Sequence, residues 1–66
     1  MEIQLNGEPT PLAKPCSVAE LLAELGLADK RVAVEINGEI VPRSQQTERM
    51  IAPNDNVEIV VAVGGG

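Results

Sequence analysis

Residues 56–66, NVEIVVAVGGG, join an apolar run to three glycines. Every second residue of the run is apolar and β-branched, which defines one face of an extended chain: Val57, Ile59, Val61 and Val63. Val60 and Ala62 make the opposite face apolar as well. Because a strand that is apolar on both faces is typical of a central or covered position, the last strand is predicted to lie in the middle of a sheet, beside the first strand.

The start of the chain predicts a hairpin with an edge strand. Ile3 and Leu5 alternate with polar residues, and Asn6 and Gly7 then form a strong two-residue turn signal. Segment 8–15 carries three prolines. Since proline cannot donate a backbone hydrogen bond to a neighbouring strand, this second strand is predicted to lie at the edge of the sheet.

Residues 16–26, CSVAELLAELG, predict one helix of about three turns. Ser17 and Glu20 have the spacing of a capping box, and Gly26 has the position of a left-handed C-cap. Cys16 precedes the cap, where a small apolar residue packs as a hydrophobic staple. An apolar stripe at helical spacing is expected to face the sheet: Val18, Leu21, Leu22 and Leu25.

A second hairpin is predicted over residues 31–42, RVAVEINGEIVP, with its turn at Asn37 and Gly38. The connection that follows is expected to contain a single helical turn. The order β-β-α-β-β-β predicts an α+β domain, in which one main helix packs on one face of a mixed sheet of four to five strands. We place this domain at residues 1–63 and a flexible glycine tail at residues 64–66.

Composition narrows the class of partner. Ten acidic residues face five basic ones, for a net charge of −5, and no Phe, Tyr or Trp is present. Such a surface repels phosphate backbones and offers bases no stacking platform, so we expect no nucleic acid and a partner with a basic surface. No histidine accompanies Cys16, so no metal site is expected. The longest apolar run, 59–63, is too short to cross a membrane, and without a leader pattern we expect a cytoplasmic protein.

The order of these motifs resembles the β-grasp, or ubiquitin-like, fold. Within that fold the whole chain is similar to the sulfur-carrier family of bacterial thiamine biosynthesis. The matching segments are NG after the first strand, SVAELLAELGL at 17–27, VAVEINGEIVPR at 32–43 and NVEIVVAVGGG at 56–66. One departure is NDN at 54–56, where the family often has DGD; asparagine tolerates the left-handed backbone that this turn uses.

This resemblance implies a protein cosubstrate that has no catalytic activity of its own. An E1-like adenylyltransferase would consume ATP to adenylate the carboxylate of Gly66, and no cofactor would be bound stably. A persulfide donor such as a cysteine desulfurase would then convert the adenylate into a thiocarboxylate. Thiazole synthase would receive the sulfur.

The residues of the tail suit that chemistry. The α-carboxylate of Gly66 is ionised at neutral pH and can act as a nucleophile without help from a side chain. Three extended glycines reach roughly 10 Å, enough to enter a narrow channel. We therefore expect Gly64 and Gly65, together with Val60 and Ala62 on the sheet face opposite the helix, to bind partners.

Several alternatives remain open at the level of sequence. The chain could be a molybdopterin synthase small subunit, a tag conjugated through Gly66, or an interaction module with an irrelevant tail. Cys16 is interpreted as a packing residue rather than a persulfide carrier. The carboxylates of Glu20 and Glu24 are interpreted as capping and solvated groups. Arg43 is interpreted as a solvated side chain, although it could steer an acidic partner patch.

Overall fold

The computed structural model describes residues 1–62. It contains five strands, one α-helix and one 3-10 helix: β1 Glu2–Leu5, β2 Glu8–Pro11, α1 Val18–Glu24, β3 Val32–Ile36, β4 Glu39–Ile40, the 3-10 helix Arg43–Gln45 and β5 Asn56–Val61. The element order and the single helical turn in the connection agree with the prediction. Val63 and the three glycines lie outside the described residues, so the domain boundary and the tail stay predictions.

The five strands form one mixed sheet in the order β2-β1-β5-β3-β4. The central strand, β5, pairs in parallel with β1 and antiparallel with β3. The predicted central position of the last strand is therefore confirmed. The proline-containing strand β2 lies at one edge, also as predicted, and pairs only with β1 within the described residues.

Both hairpins turn through an asparagine and a glycine in the left-handed region. The φ angles are +51° at Asn6 and +84° at Gly7, and +52° at Asn37 and +85° at Gly38. Two consecutive positive φ angles are the geometry whose twist matches the flanking strands. The two turns therefore set the registers of β1 with β2 and of β3 with β4.

Helix α1 begins with the predicted capping box. The Glu20 backbone N–H donates to Ser17 Oγ at 3.1 Å, and the Ser17 backbone N–H donates to Glu20 Oε1 at 2.8 Å. Both orphan donors at the start of the helix are thereby satisfied. Cys16 and Leu21 are buried in the same apolar core, as the staple prediction requires.

The predicted left-handed cap at Gly26 is confirmed, but the helix is shorter than predicted. The helix has seven residues, about two turns, and Leu25 is its C-cap with 43% of its surface exposed, so its predicted place on the buried stripe is wrong. The cause is a Schellman turn at Gly26, whose φ is +75°. The Leu27 N–H donates to the Leu22 carbonyl at 2.8 Å, which turns Leu27 toward the core in place of Leu25.

The core lies between α1 and one face of the sheet. Its buried apolar residues are Ile3, Leu12, Cys16, Val18, Leu21, Leu22, Val34, Ile36, Val41, Ile51, Val57 and Ile59. Burial decreases toward the end of β5, where Val61 is 41% exposed although it follows Val57 and Ile59 on the same face. The opposite sheet face, which we call the open face, carries no helix within the described residues.

The turn before β5 has an asparagine at its left-handed position, as the sequence allowed. Asn54 has a φ of +68°, so the left-handed position is filled without glycine. The Asp55 carboxylate accepts hydrogen bonds from the Ala52 N–H at 2.8 Å and from Asn37 Nδ2 at 3.0 Å. These contacts fix the turn that delivers β5 into the sheet.

Candidate functional site

The candidate site is the end of β5, from which the chain continues into the predicted tail. Val60 is 62% exposed on the open face, and Ala62, the last described residue, is exposed as well. The other predicted site residues, Gly64, Gly65 and Gly66, lie outside the described residues. The structure therefore brings two of the five predicted site residues into one exposed segment.

The open face changes character along β5. Glu58 lies directly opposite Glu35 of β3, and Val60 lies opposite Ala33, one step closer to the end of β5. Ile40 of edge strand β4 is paired with Glu35 and is 74% exposed. Like charges directly opposite each other repel across a sheet, so the Glu35–Glu58 pair is not explained by fold stability. The acidic row, Glu35 and Glu58, thus borders an apolar patch, Val60 and Ala62, at the end of β5.

The side chain of Asn6 holds the end of β5, although the sequence predicted only that Asn6 forms a turn with Gly7. Its Oδ1 accepts a hydrogen bond from the Ile59 N–H at 2.8 Å, and its Nδ2 donates to the Ile59 carbonyl at 3.2 Å. Since the register of β1 with β5 ends at Leu5 and Val57, this amide takes the place of the next paired residue. Backbone groups of the buried Ile59 are satisfied in this way.

Asn37 does the same at the start of β5. Its Oδ1 accepts from the Asn56 N–H at 2.9 Å, while its own backbone N–H donates to the Asn56 carbonyl at 2.8 Å. Aspartate or glycine would also suit both turns, so the sequence carried no signal for these contacts. The two turn asparagines together fix both ends of the central strand.

Beyond Ile59, β5 extends past the end of β1. Within residues 1–62, Val60 and Val61 pair with β3 alone, opposite Ala33 and Val32. The Ala62 N–H donates to the Arg31 carbonyl at 2.8 Å, which continues the β3 side of the ladder. The last described residues therefore have one strand neighbour, on the β3 side.

Two titratable groups of the described residues have shifted pKa values, and both lie at the start of α1. Hydrogen bonds from Ser17 lower the pKa of Glu20, as expected for a capping carboxylate. Burial raises the pKa of the Cys16 thiol, which is 5% exposed, and the neighbouring carboxylates of Glu20 and Glu24 raise it further. A neutral, buried thiol fits the predicted packing role of Cys16.

Within residues 1–62, no group of three or more histidine, cysteine or carboxylate side chains could hold a metal ion. None of the helices described is long and apolar enough to cross a bilayer.

Comparison with known proteins decides the family. A family model described as the ThiS family matches residues 3–66, nearly the whole chain. The chain belongs to the ThiS family. It is 38% identical over 65 residues to the sulfur carrier protein ThiS of Bacillus subtilis, a match that covers 97% of this chain and 98% of that protein.

Two other comparisons extend the family relationship. The chain is 41% identical over all 66 residues to a thiazole synthase of Paramagnetospirillum magneticum, but it spans only 20% of that longer protein. The crystal structure of a thiamine biosynthesis protein (ThiS) from Geobacter metallireducens is 35% identical, with a TM-score of 0.85 and full coverage of both chains. The predicted β-grasp fold is thereby confirmed.

Proposed function

We propose that this ThiS-family protein is a sulfur carrier in thiamine biosynthesis, acting through the carboxylate of Gly66. The observation that carries the proposal is that the central strand of the sheet ends at Val61, three residues before the three glycines of the sequence, with an exposed apolar patch at its end. Full-length similarity to the Bacillus subtilis carrier supports it.

In the proposed chemistry, the protein is a substrate of other enzymes. A carboxylate oxygen of Gly66 attacks the α-phosphorus of ATP, the bond to pyrophosphate breaks, and an acyl adenylate forms. The terminal sulfur of a persulfide then attacks the acyl carbon and expels AMP. A second thiol cleaves the resulting S–S bond, leaving a thiocarboxylate on the carrier and a disulfide on the donor. An E1-like adenylyltransferase and a cysteine desulfurase are the classes of enzyme that supply these steps.

The proposed acceptor of the sulfur is thiazole synthase. Support comes from the Paramagnetospirillum magneticum thiazole synthase, in which a segment similar to this chain makes up one fifth of the protein. A carrier segment within the acceptor enzyme raises the effective concentration of one for the other. For this chain, the corresponding contact would form between two separate proteins or within one longer chain.

Partner binding is proposed to use both the tail and the exposed surface of the sheet. Ordering the three glycines costs on the order of 1 to 2 kcal/mol of conformational entropy per residue. A contact between the folded domain and the partner must offset that cost. Val60 and Ala62 supply exposed apolar surface beside the tail, and the Asn6 side chain keeps the strand beneath them in place. We propose this patch as the docking surface for the activating enzyme.

The experiment that tests the function measures the C-terminus directly. Carrier purified from cells with an intact thiamine pathway is expected to include a species in which one oxygen of Gly66 is replaced by sulfur, identified by intact mass and C-terminal fragmentation. A variant without Gly65 and Gly66 should lack this species and fail to restore thiamine-independent growth to cells without the native carrier. A variant that keeps Gly66 but adds one alanine after it is the matched control for tail length, and it should also fail. Growth with either variant would contradict the proposal.

A further inference from the structure

Three of the five basic residues lie around the end of β5, although they come from two separate parts of the chain. Lys30 and Arg43 line one shallow depression together with Val32, which is the β3 partner of Val61. Arg31 follows Lys30 in the sequence, and its carbonyl accepts a hydrogen bond from the Ala62 N–H. We call Lys30, Arg31 and Arg43 the basic collar.

The basic collar reverses the charge of the protein locally. The net charge is −5, and the open face farther back along β5 carries the Glu35–Glu58 row. The depression, by contrast, has no acidic lining residue among those described: its lining consists of Leu22, Ala28, Lys30, Val32, Arg43 and Gln46. Asp29 is the acid adjacent to the collar in sequence. All three collar residues are exposed, so core packing does not explain their placement.

This distribution makes the surface charge of the molecule asymmetric. The collar places three positive charges around the end of β5, with Asp29 as the adjacent acid, whereas the protein as a whole is negative. Between exposed groups, such charges act over a Debye length of about 8 to 10 Å at ordinary salt concentrations. They change association rates and orientation more than final affinity. An acidic surface would therefore attract this end first and repel the rest of the carrier.

We propose that the basic collar docks against an acidic rim around the opening through which the activating enzyme receives Gly66. The proposal rests on the function proposed above and specifies the chemistry of that partner surface. It also modifies the expectation from net charge: a basic partner surface would suit the acidic parts of the carrier, but the region around the tail requires acidic side chains. Arg43 then acts as part of a cluster instead of as an isolated solvated residue.

The test measures association of the intact carrier with the E1-like adenylyltransferase of thiamine biosynthesis from the same organism, without ATP, across a range of salt concentrations. The double variant Lys30→Glu/Arg43→Glu is expected to associate about tenfold more slowly at low salt, with the difference shrinking at high salt. Arg43→Lys keeps the charge and should associate like the wild type. Lys14→Glu is the matched control because Lys14 lines a separate groove with Leu12 and Cys16, and it should change the rate less than twofold.

The outcomes separate this proposal from the proposed function. The single variants Lys30→Glu and Arg43→Glu each change the net charge by as much as Lys14→Glu does. Equal slowing by Lys14→Glu and by these two would overturn the collar, because net charge alone would then explain the rate. Unchanged association with a raised KM for ATP in the collar variants would also overturn it, by assigning the cations to the nucleotide phosphates. A wild-type carrier that does not bind the enzyme overturns it as well. Salt-dependent binding without adenylation of Gly66 supports the collar and contradicts the proposed function. Thermal unfolding of each variant checks that the fold is retained.

Discussion

Replacing Asn6 with glycine tests whether the side-chain amide holds the central strand. The change removes the hydrogen bonds of 2.8 Å and 3.2 Å to Ile59 and keeps the left-handed backbone, since glycine adopts a φ of +51° without strain. Each net hydrogen bond contributes about 1 kcal/mol. The greater freedom of glycine in the unfolded chain adds about 0.5 to 1 kcal/mol. We expect a total loss of roughly 2 to 3 kcal/mol in the free energy of unfolding, from these two contributions.

Such a loss is large for a domain of this size. One kcal/mol shifts the unfolding midpoint of a small domain by about 4 to 8 °C, so the variant should unfold roughly 8 to 24 °C below the wild type. Far-UV circular dichroism is the suitable assay because the chain has no tryptophan or tyrosine for fluorescence. Urea titration by the same signal gives the free energy directly.

Two matched variants isolate the hydrogen bonds. Asn54 has a φ of +68° and makes no side-chain hydrogen bond within residues 1–62, so Asn54→Gly should cost only the glycine entropy, about 0.5 to 1 kcal/mol. Asn6→Asp keeps the acceptor but loses the donor to the Ile59 carbonyl, so its loss should fall between the two. If Asn6→Gly destabilises the protein no more than Asn54→Gly does, the assignment of Asn6 as a strand anchor is refuted.

Two further predictions concern the open face and the helix cap. Val60→Asp should weaken or slow binding of the activating enzyme about tenfold at nearly unchanged stability, because a lost interface contact of about 1.4 kcal/mol corresponds to a factor of ten. Met50→Asp is the control, since Met50 is an exposed apolar residue that is bridged to Ser17 and does not lie on β5. Equal effects of the two substitutions would remove Val60 from the docking surface. Hydrogen bonds from Ser17 hold the pKa of Glu20 below the ordinary value of 4.5, so this carboxylate stabilises the fold above pH 4.5 and loses that contribution as the pH falls through its lowered pKa. Glu20→Gln should therefore flatten the acid side of the plot of unfolding midpoint against pH, measured by circular dichroism, and an unchanged slope would contradict the capping role.

Much of the fold follows from the sequence because its signals are local. The two Asn-Gly turns and the capping box each depend on residues within a few positions of one another, so spacing alone predicts them. The prolines of β2 and the two-sided apolar pattern of β5 predicted an edge and a central strand, because backbone hydrogen bonding and burial constrain those positions. The misplaced Leu25 marks the limit of this reasoning: its spacing fits the helical stripe, but the Schellman turn at Gly26 ends the helix one residue earlier.

Only the tertiary structure decided the contacts between residues that are distant in the sequence. The amide of Asn6 reaches Ile59 across 53 positions, and that of Asn37 reaches Asn56 across 19. The basic collar likewise joins Lys30 and Arg31 to Arg43 only because the chain that leaves β4 runs back toward the beginning of β3. The sequence by itself determined the order of the strands and the helix and the positions of the turns, whereas the flexible glycine tail stays a prediction. Strand register decided the rest, because it brings side chains together that no periodic pattern connects.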